Sequence, residues 1–272
     1  MAEPRNREAS GLAASRRSDG LLWTHNDSGG EPVLFALNAD GSLRGMVRVA
    51  GVENTDWEDL ASCELDGQPL LVIADTGDNF SVRSHPVVHF VVEPEPASLT
   101  PNRELALRPA WSVNFIYEDG ARDCEAMAVD VKERAIYLLT KRDAVPRLYR
   151  LALKPASLAQ PAVARFAGTV PQLPQAANWK KILQAPNYAF YGWPTAMDFS
   201  PDGSLAAVLT YGETLLFPRA PGETWATALA RAPVRLAVHG LPQAEAACFS
   251  RDGGEIFVAS EKTPRLLRYV RR

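Results

Sequence analysis

The chain has 272 residues, with 29 Lys and Arg against 32 Asp and Glu, and it is 46% hydrophobic and 22% charged, which is the composition of a water-soluble globular protein and not of a disordered or fibrous one. A pI near 5.9 and the lack of a basic run interleaved with aromatics exclude nucleic acid as a partner, and no stretch of eighteen apolar residues exists to cross a membrane. At this length folding buries roughly three quarters of the extended-chain surface, so a core forms without metal or disulfide staples and any bound metal is expected to serve function.

The N-terminal MAEPRNREAS lacks the apolar core of a signal peptide, although a trimmed secreted or periplasmic form would read the same way, so the compartment stays open. Cys63, Cys124 and Cys248 are odd in number and lack CxxC spacing; each lies in or just after an apolar segment, which predicts buried thiols.

Along the chain one pattern recurs five times, beginning at Glu8, Asp56, Asp123, Trp193 and Gln243: a strand, a polar turn, a second strand. The turns read SRRSDG, ELDGQ, VKER, SPDG and SRDGG, the chemistry of hairpin connections between apolar, β-prone flanks. Third strands are expected at 33–37, 87–92, 147–151 and 266–270, and fourth strands at 105–113 and 235–238. Three or four antiparallel strands per repeat make the blade of a β-propeller, so the sequence predicts one all-β domain over 1–272 with five blades, six remaining open. Block starts are 48, 67, 70 and 50 residues apart. The largest excursion, 162–192, contains AANWKKILQ between Pro-rich flanks, which predicts a short helix near 175–185.

Aligning the blocks on Leu12, Leu60, Met127, Met197 and Ala247 makes the sequence its own control. Two residues earlier stand Ser10, Glu58, Glu125, Thr195 and Glu245. First strands line the channel of a propeller, so these side chains form one ring at one height, joined near the mouth by Asp56 and Asp123. Carboxylates gathered this way repel unless protonated, solvated or bridged, and a divalent cation, Ca²⁺ foremost, is the simplest bridge; hydrated acids in a water-filled channel are the alternative. At the end of the second strands a small residue precedes a variable polar one, and the set His25, Asn26, Asp27, Asp75, Asp78, Asn79, Lys141, Arg142, Tyr211 and Glu261 is expected to ring the same face. Trp57 and Trp193, beside the acidic column, either wall a ligand pocket or pack between blades. No GxSxG, HExxH or phosphate-loop motif is present.

The pieces EASGL, THNDSG, DWEDLA, DTGDN, DCEAM and PDG are similar to those of a subgroup of bacterial β-propellers without an assigned activity. More broadly, the chain resembles the propeller group that includes regucalcin and gluconolactonase-like proteins, diisopropylfluorophosphatase-like enzymes and esterase-like phytase domains. That resemblance implies a catalytic cation held by channel-lining strands at Glu58, Glu125 and Glu245, with Ser10 and Thr195 departing from the pattern. The expected function is a divalent-cation-dependent hydrolase of small esters, lactones or organophosphates. Asp75 or Asp123 would be its nucleophile or base, His25, Lys141 and Arg142 would position substrate, and Asn26, Asp27, Trp57, Trp193, Tyr211 and Glu261 would line the pocket. The alternative is a non-catalytic propeller that binds a protein or glycan across its face.

Overall fold

The structure is a computed structural model that describes residues 3–174 and 189–270; the helix expected near 175–185 lies outside the described residues. The first blade contains β1 (Ala9–Ala14), β2 (Leu21–Asn26), β3 (Val33–Asn38) and β4 (Leu43–Val49). The second contains β5 (Trp57–Leu65), β6 (Gln68–Asp75), β7 (Val87–Val92) and β9 (Trp111–Tyr117), while β8 (Glu104–Leu107) crosses back to lie parallel on β4. The third contains β10 (Cys124–Asp130), β11 (Ala135–Thr140), β12 (Arg147–Ala152) and β13 (Ala162–Thr169). Then come β14 (Pro194–Phe199), β15 (Leu205–Thr210), β16 (Thr214–Pro218) and β17 (Val234–Arg235), and finally β18 (Ala244–Phe249), β19 (Glu255–Ser260) and β20 (Leu266–Val270). The inner strands pack in a ring, β1 on β5, β5 on β10, β10 on β14, β14 on β18 and β18 back on β1.

Both faces of a blade are covered by neighbours, so the inner strands read as buried runs instead of alternating ones. Apolar layers fill each gap: Trp23, Leu34 and Ile73 lie between the first two blades, Val72, Phe90 and Met127 between the next two, and Leu12, Leu22 and Phe257 where the last meets the first. The ELDGQ turn closes β5 on β6 with Asp66 at φ 52° and Gly67 at φ 77°, the left-handed pair of a type I′ hairpin. All three cysteines are buried free thiols, as expected.

Three expectations are corrected. The single strand expected at 105–113 is two, because Pro109 between them has no N–H for a ladder, and the pieces join different blades. The excursion expected from residue 162 begins as β13, whose Arg165 and Phe166 pair with Arg150 and Tyr149. A helix not foreseen, α1 (Trp225–Leu229), is capped by Thr224 and buries Trp225, which stacks on Phe199 at 3.7 Å.

Closing a ring of sheets leaves each inner strand with one unpaired edge facing the axis, and buried N–H groups there need acceptors. Asp59 supplies them. One oxygen accepts from its neighbour Leu60 N–H (2.8 Å) and the other from Met127 (2.8 Å) and Met197 (3.1 Å), tying three blades together. Asp198 does the same for Phe199 (2.9 Å) and Phe249 (2.8 Å). At the position of Asp59 the other blades carry Gly11, Ala126, Ala196 and Ala246, which leaves room for one carboxylate on the axis.

Asp59→Ala orphans three buried donors at roughly 1–3 kcal/mol each, so urea unfolding followed by Trp fluorescence should show a loss of at least about 3 kcal/mol. A change within about 0.5 kcal/mol, the scatter of ordinary surface substitutions, would remove Asp59 from this role.

Candidate functional site

Each inner strand breaks register once, between Ala9 and Gly11, Trp57 and Asp59, Cys124 and Ala126, Pro194 and Ala196, and Ala244 and Ala246. The residue skipped is Ser10, Glu58, Glu125, Thr195 or Glu245, the column picked out by alignment. A β-bulge releases one residue from the ladder and re-aims its side chain, and here five bulges do so at one height. The two hydroxyls turn to the next blade: Ser10 donates to the Glu58 carbonyl at 3.0 Å and Thr195 to the Ala244 carbonyl at 2.7 Å.

The carboxylates converge in overlapping groups: Asp27 with Glu245 and Glu261, Asp27 with Asp56 and Glu58, and Glu58 with Asp123 and Glu125, the ligand oxygens of each group lying within 4.8 Å of one another. Their neutralisation is uneven. Lys141, 4% exposed, pairs with Glu125 and donates to the Tyr211 hydroxyl at 2.9 Å, which in turn donates to Glu245 at 2.6 Å. Arg142 pairs with Asp123 at 2.5 Å, Arg83 with Asp75 at 2.7 Å and Lys262 with Glu261 at 3.3 Å. Among the described residues no Lys or Arg pairs with Asp27, Asp56, Glu58 or Glu245, and no donor reaches the Glu58 carboxylate although the residue is only 6% exposed. Gly77 of the DTGDN turn packs directly on Glu58 and Asp56, and a methyl group there would collide with both.

Burial is the leading cause of a raised carboxyl pKa throughout this cluster. It lifts Glu58 well above the ordinary range, reinforced by the charges of Glu125, Asp27 and Asp56. It lifts Glu245 to about 9, helped by Glu261, and Glu125 to about 7 against the pull of Lys141. Asp27 rises to about 6, with the Ser28 N–H opposing and Glu261 and Asp56 adding to the rise. Glu245, and in part Glu125, thus hold protons at neutral pH.

No protein-family model matches the chain, and neither does any curated protein. Among solved structures, a chain of a nidogen–laminin complex aligns with a TM-score of 0.51 at 11% identity, over 96% of this chain and 75% of that one. The chain is a β-propeller. A gluconolactonase from Xanthomonas campestris aligns at 0.49 with 12% identity over 96% and 71%, and hydrazine synthase from Kuenenia stuttgartiensis at 0.44 with 12% identity over the same shares. At these identities the likeness is one of fold, and the chemistry has to be read from this propeller's own site.

Several expected site residues stand elsewhere or are already engaged. Trp57 does not wall a pocket: its ring is wholly buried between the first two blades, edge-on to His25 at 5.4 Å. His25 is also wholly buried, its Nδ1 2.9 Å from the Asn26 carbonyl, and burial lowers its pKa to about 4, so it is neutral at pH 7. The Asn26 amide is spent on the backbone of Arg5, Arg7 and Glu8. Asp75 accepts from Arg83 and from the Asp56 N–H (3.2 Å), and Asp123 from Arg142 and the Asp78 N–H (2.9 Å), so both carboxylates are already paired with a cation and a backbone donor. Asp78 caps its own loop through Val82 and Arg83 N–H. Trp193 remains at the mouth, with the Arg142 guanidinium over its ring at 4.8 Å. Gly77 and Arg83 were not singled out by the sequence reading, though Gly77 lies inside the DTGDN piece already in view.

About a unit above the ordinary histidine value and beyond, from about pH 7.5 up, His25 is neutral folded and unfolded alike, and there the folded chain holds protons on Glu245, and partly on Glu125, that the unfolded chain has lost, so stability must fall as pH rises toward 9. In chelator the melting temperature should drop across this window, and Ca²⁺ should raise it most at the alkaline end, where protons compete least for the same oxygens. A flat or rising profile in chelator would contradict the arrangement.

Proposed function

We propose that the acidic mouth holds a divalent cation, Ca²⁺ foremost, and that the propeller hydrolyses small esters, lactones or phosphoesters there. The observation that carries this reading is the buried Glu58 carboxylate with no donor among the described residues, set beside the unpaired Asp27 and Asp56. Oxygen-only donors of this kind fit a hard cation, and Glu58 and Asp56 would hold it; Glu125 and Asp123, matched to Lys141 and Arg142, have less need of one. A bound cation would supply polarisation of the substrate's carbonyl or phosphoryl oxygen.

The chain's own groups have separable tasks. Asp27, partly exposed and beside Glu58 and Asp56, is the carboxylate placed to take a proton from water, in place of Asp75 or Asp123. Arg142, its side chain 34% exposed and stacked on Trp193, is placed to meet negative charge developing on substrate. Lys141 and Tyr211 fix Glu125 and Glu245 and keep that side of the mouth from needing a second ion.

One feature favours a second reading, a binding propeller: Phe80 and Val82, next to the DTGDN turn, are 86% and 76% exposed, the kind of apolar projection that a protein partner covers. A chromogenic panel of carboxyl esters, lactones and phosphotriesters, assayed before and after chelation, separates the two. Activity lost to chelator and restored by Ca²⁺ is expected; no turnover on any class, with no cation-dependent change in melting temperature, would leave the binding reading. Glu58→Gln should abolish the response to cation, and Asp27→Asn should lower kcat by about 10²–10⁴-fold while leaving cation-dependent stabilisation measurable. Full activity in both variants would sink the assignment.

A further inference from the structure

The inner strands begin at the acidic mouth and end at the opposite one, where a cavity of about 390 Å³ opens among the residues that follow β1, β5, β10, β14 and β18. Arg16, Lys132 and Arg251 line it, and among the described residues neither Arg16 nor Lys132 has a carboxylate within ion-pair distance. Arg251 reaches Asp19 at 3.2 Å through an exposed contact of little strength. The acids on the wall are engaged or outlying: Asp130 is taken by Arg219 and the Trp225 indole, Asp198 is buried, accepts from two backbone N–H groups and feels the Arg16 charge without pairing with it, and Glu64 lies exposed on the rim.

Arg16 is held in place. Its N–H donates to the fully buried Glu93 at 2.9 Å, and its Nε and one terminal nitrogen donate to the Ser62 carbonyl at 3.2 and 2.8 Å. The rest of the guanidinium edge has no acceptor among the described residues. Lys132, fixed by the Asp202 carbonyl at 3.0 Å, adds a second positive centre on the same cavity. A planar fork with spare donors beside a point charge suits a tetrahedral dianion better than a single carboxylate, and the cavity has the size of a small-molecule site.

We propose that this second mouth binds a phosphate group, free or as the monoester of a small molecule, independently of the chemistry proposed at the acidic mouth. The test is calorimetric titration of the intact chain, in chelator, with inorganic phosphate and with glycerol 2-phosphate. Millimolar or tighter binding that weakens with salt is expected, the ester binding more tightly if its body fills the cavity and equally if the free anion is the ligand. Arg16→Gln should weaken binding at least about tenfold, the loss of one charge-assisted contact, and Lys132→Gln should weaken it several-fold. Arg142→Gln, at the other mouth, should leave it unchanged. If Arg16→Gln fails to fold, Lys132→Gln decides: undiminished affinity in that variant overturns the proposal. So does the absence of binding, or its loss in Arg142→Gln instead, which would place the anion at the acidic mouth and bear on the hydrolase reading separately.

Discussion

A ring of sheets has a problem that a single sheet does not: its inner edges point at one another across an axis, and the buried N–H groups there need acceptors. Two buried aspartates meet that demand here. Asp59 accepts three N–H groups from three blades and Asp198 two from two, so the charge that would repel inside a dry channel is spent on backbone donors. Burial pushes the Asp59 carboxyl well above its ordinary range while the three N–H donors pull it down, and the opposition is a measure of how much that position asks of one side chain. The small residues Gly11, Ala126, Ala196 and Ala246 are the other half of the arrangement; at Gly11 a methyl group would meet His25 and Leu60.

Above that plug the electrostatics divide the mouth in two. On one side Lys141, Arg142 and Tyr211 match the acids from β10 and β18 with donors of their own. On the other, Asp27, Asp56 and Glu58 crowd together with no Lys or Arg paired to them among the described residues, and the turn carrying Gly77 presses against Asp56 and Glu58. The asymmetry is what gives the mouth a direction, because an ion and a substrate would meet different partners depending on which side they approach. At the far mouth Arg16 and Lys132 stand without an ion pair among the described residues, so the two ends of the ring differ in the groups they offer a ligand.

Much of this was legible in the sequence because the repeats constrain each other. The hairpins were visible from their turns, and the acidic column was visible because a bulge recurs at the same place in every blade. What escaped had local causes. Pro109 split an expected strand, and the Thr224 cap that opens α1 offered no periodic signal in a five-residue helix. Within the site, the column showed which residues share a height but not which cation faces which acid: that Lys141 meets Glu125, or that Arg83 occupies Asp75, depends on how each blade's own connections fold back over its strands. Asp59 was overlooked for a simpler reason. It is the exception in a column of Gly and Ala, and such an exception carries its information only when the column is read for what it excludes.

The repeated bulge also bears on how such a mouth changes over time. A residue skipped by the ladder has no cross-strand partner to satisfy, so exchanging Ser10 or Thr195 for a carboxylate, or Glu58 for an amide, alters the chemistry of the mouth without asking the sheet to shift register. The five positions are sockets on a fixed frame whose occupants feel one another through charge and through the bonds of Ser10 and Thr195 to the next blade, so a change at one resets the chemistry of its neighbours more than the path of the backbone.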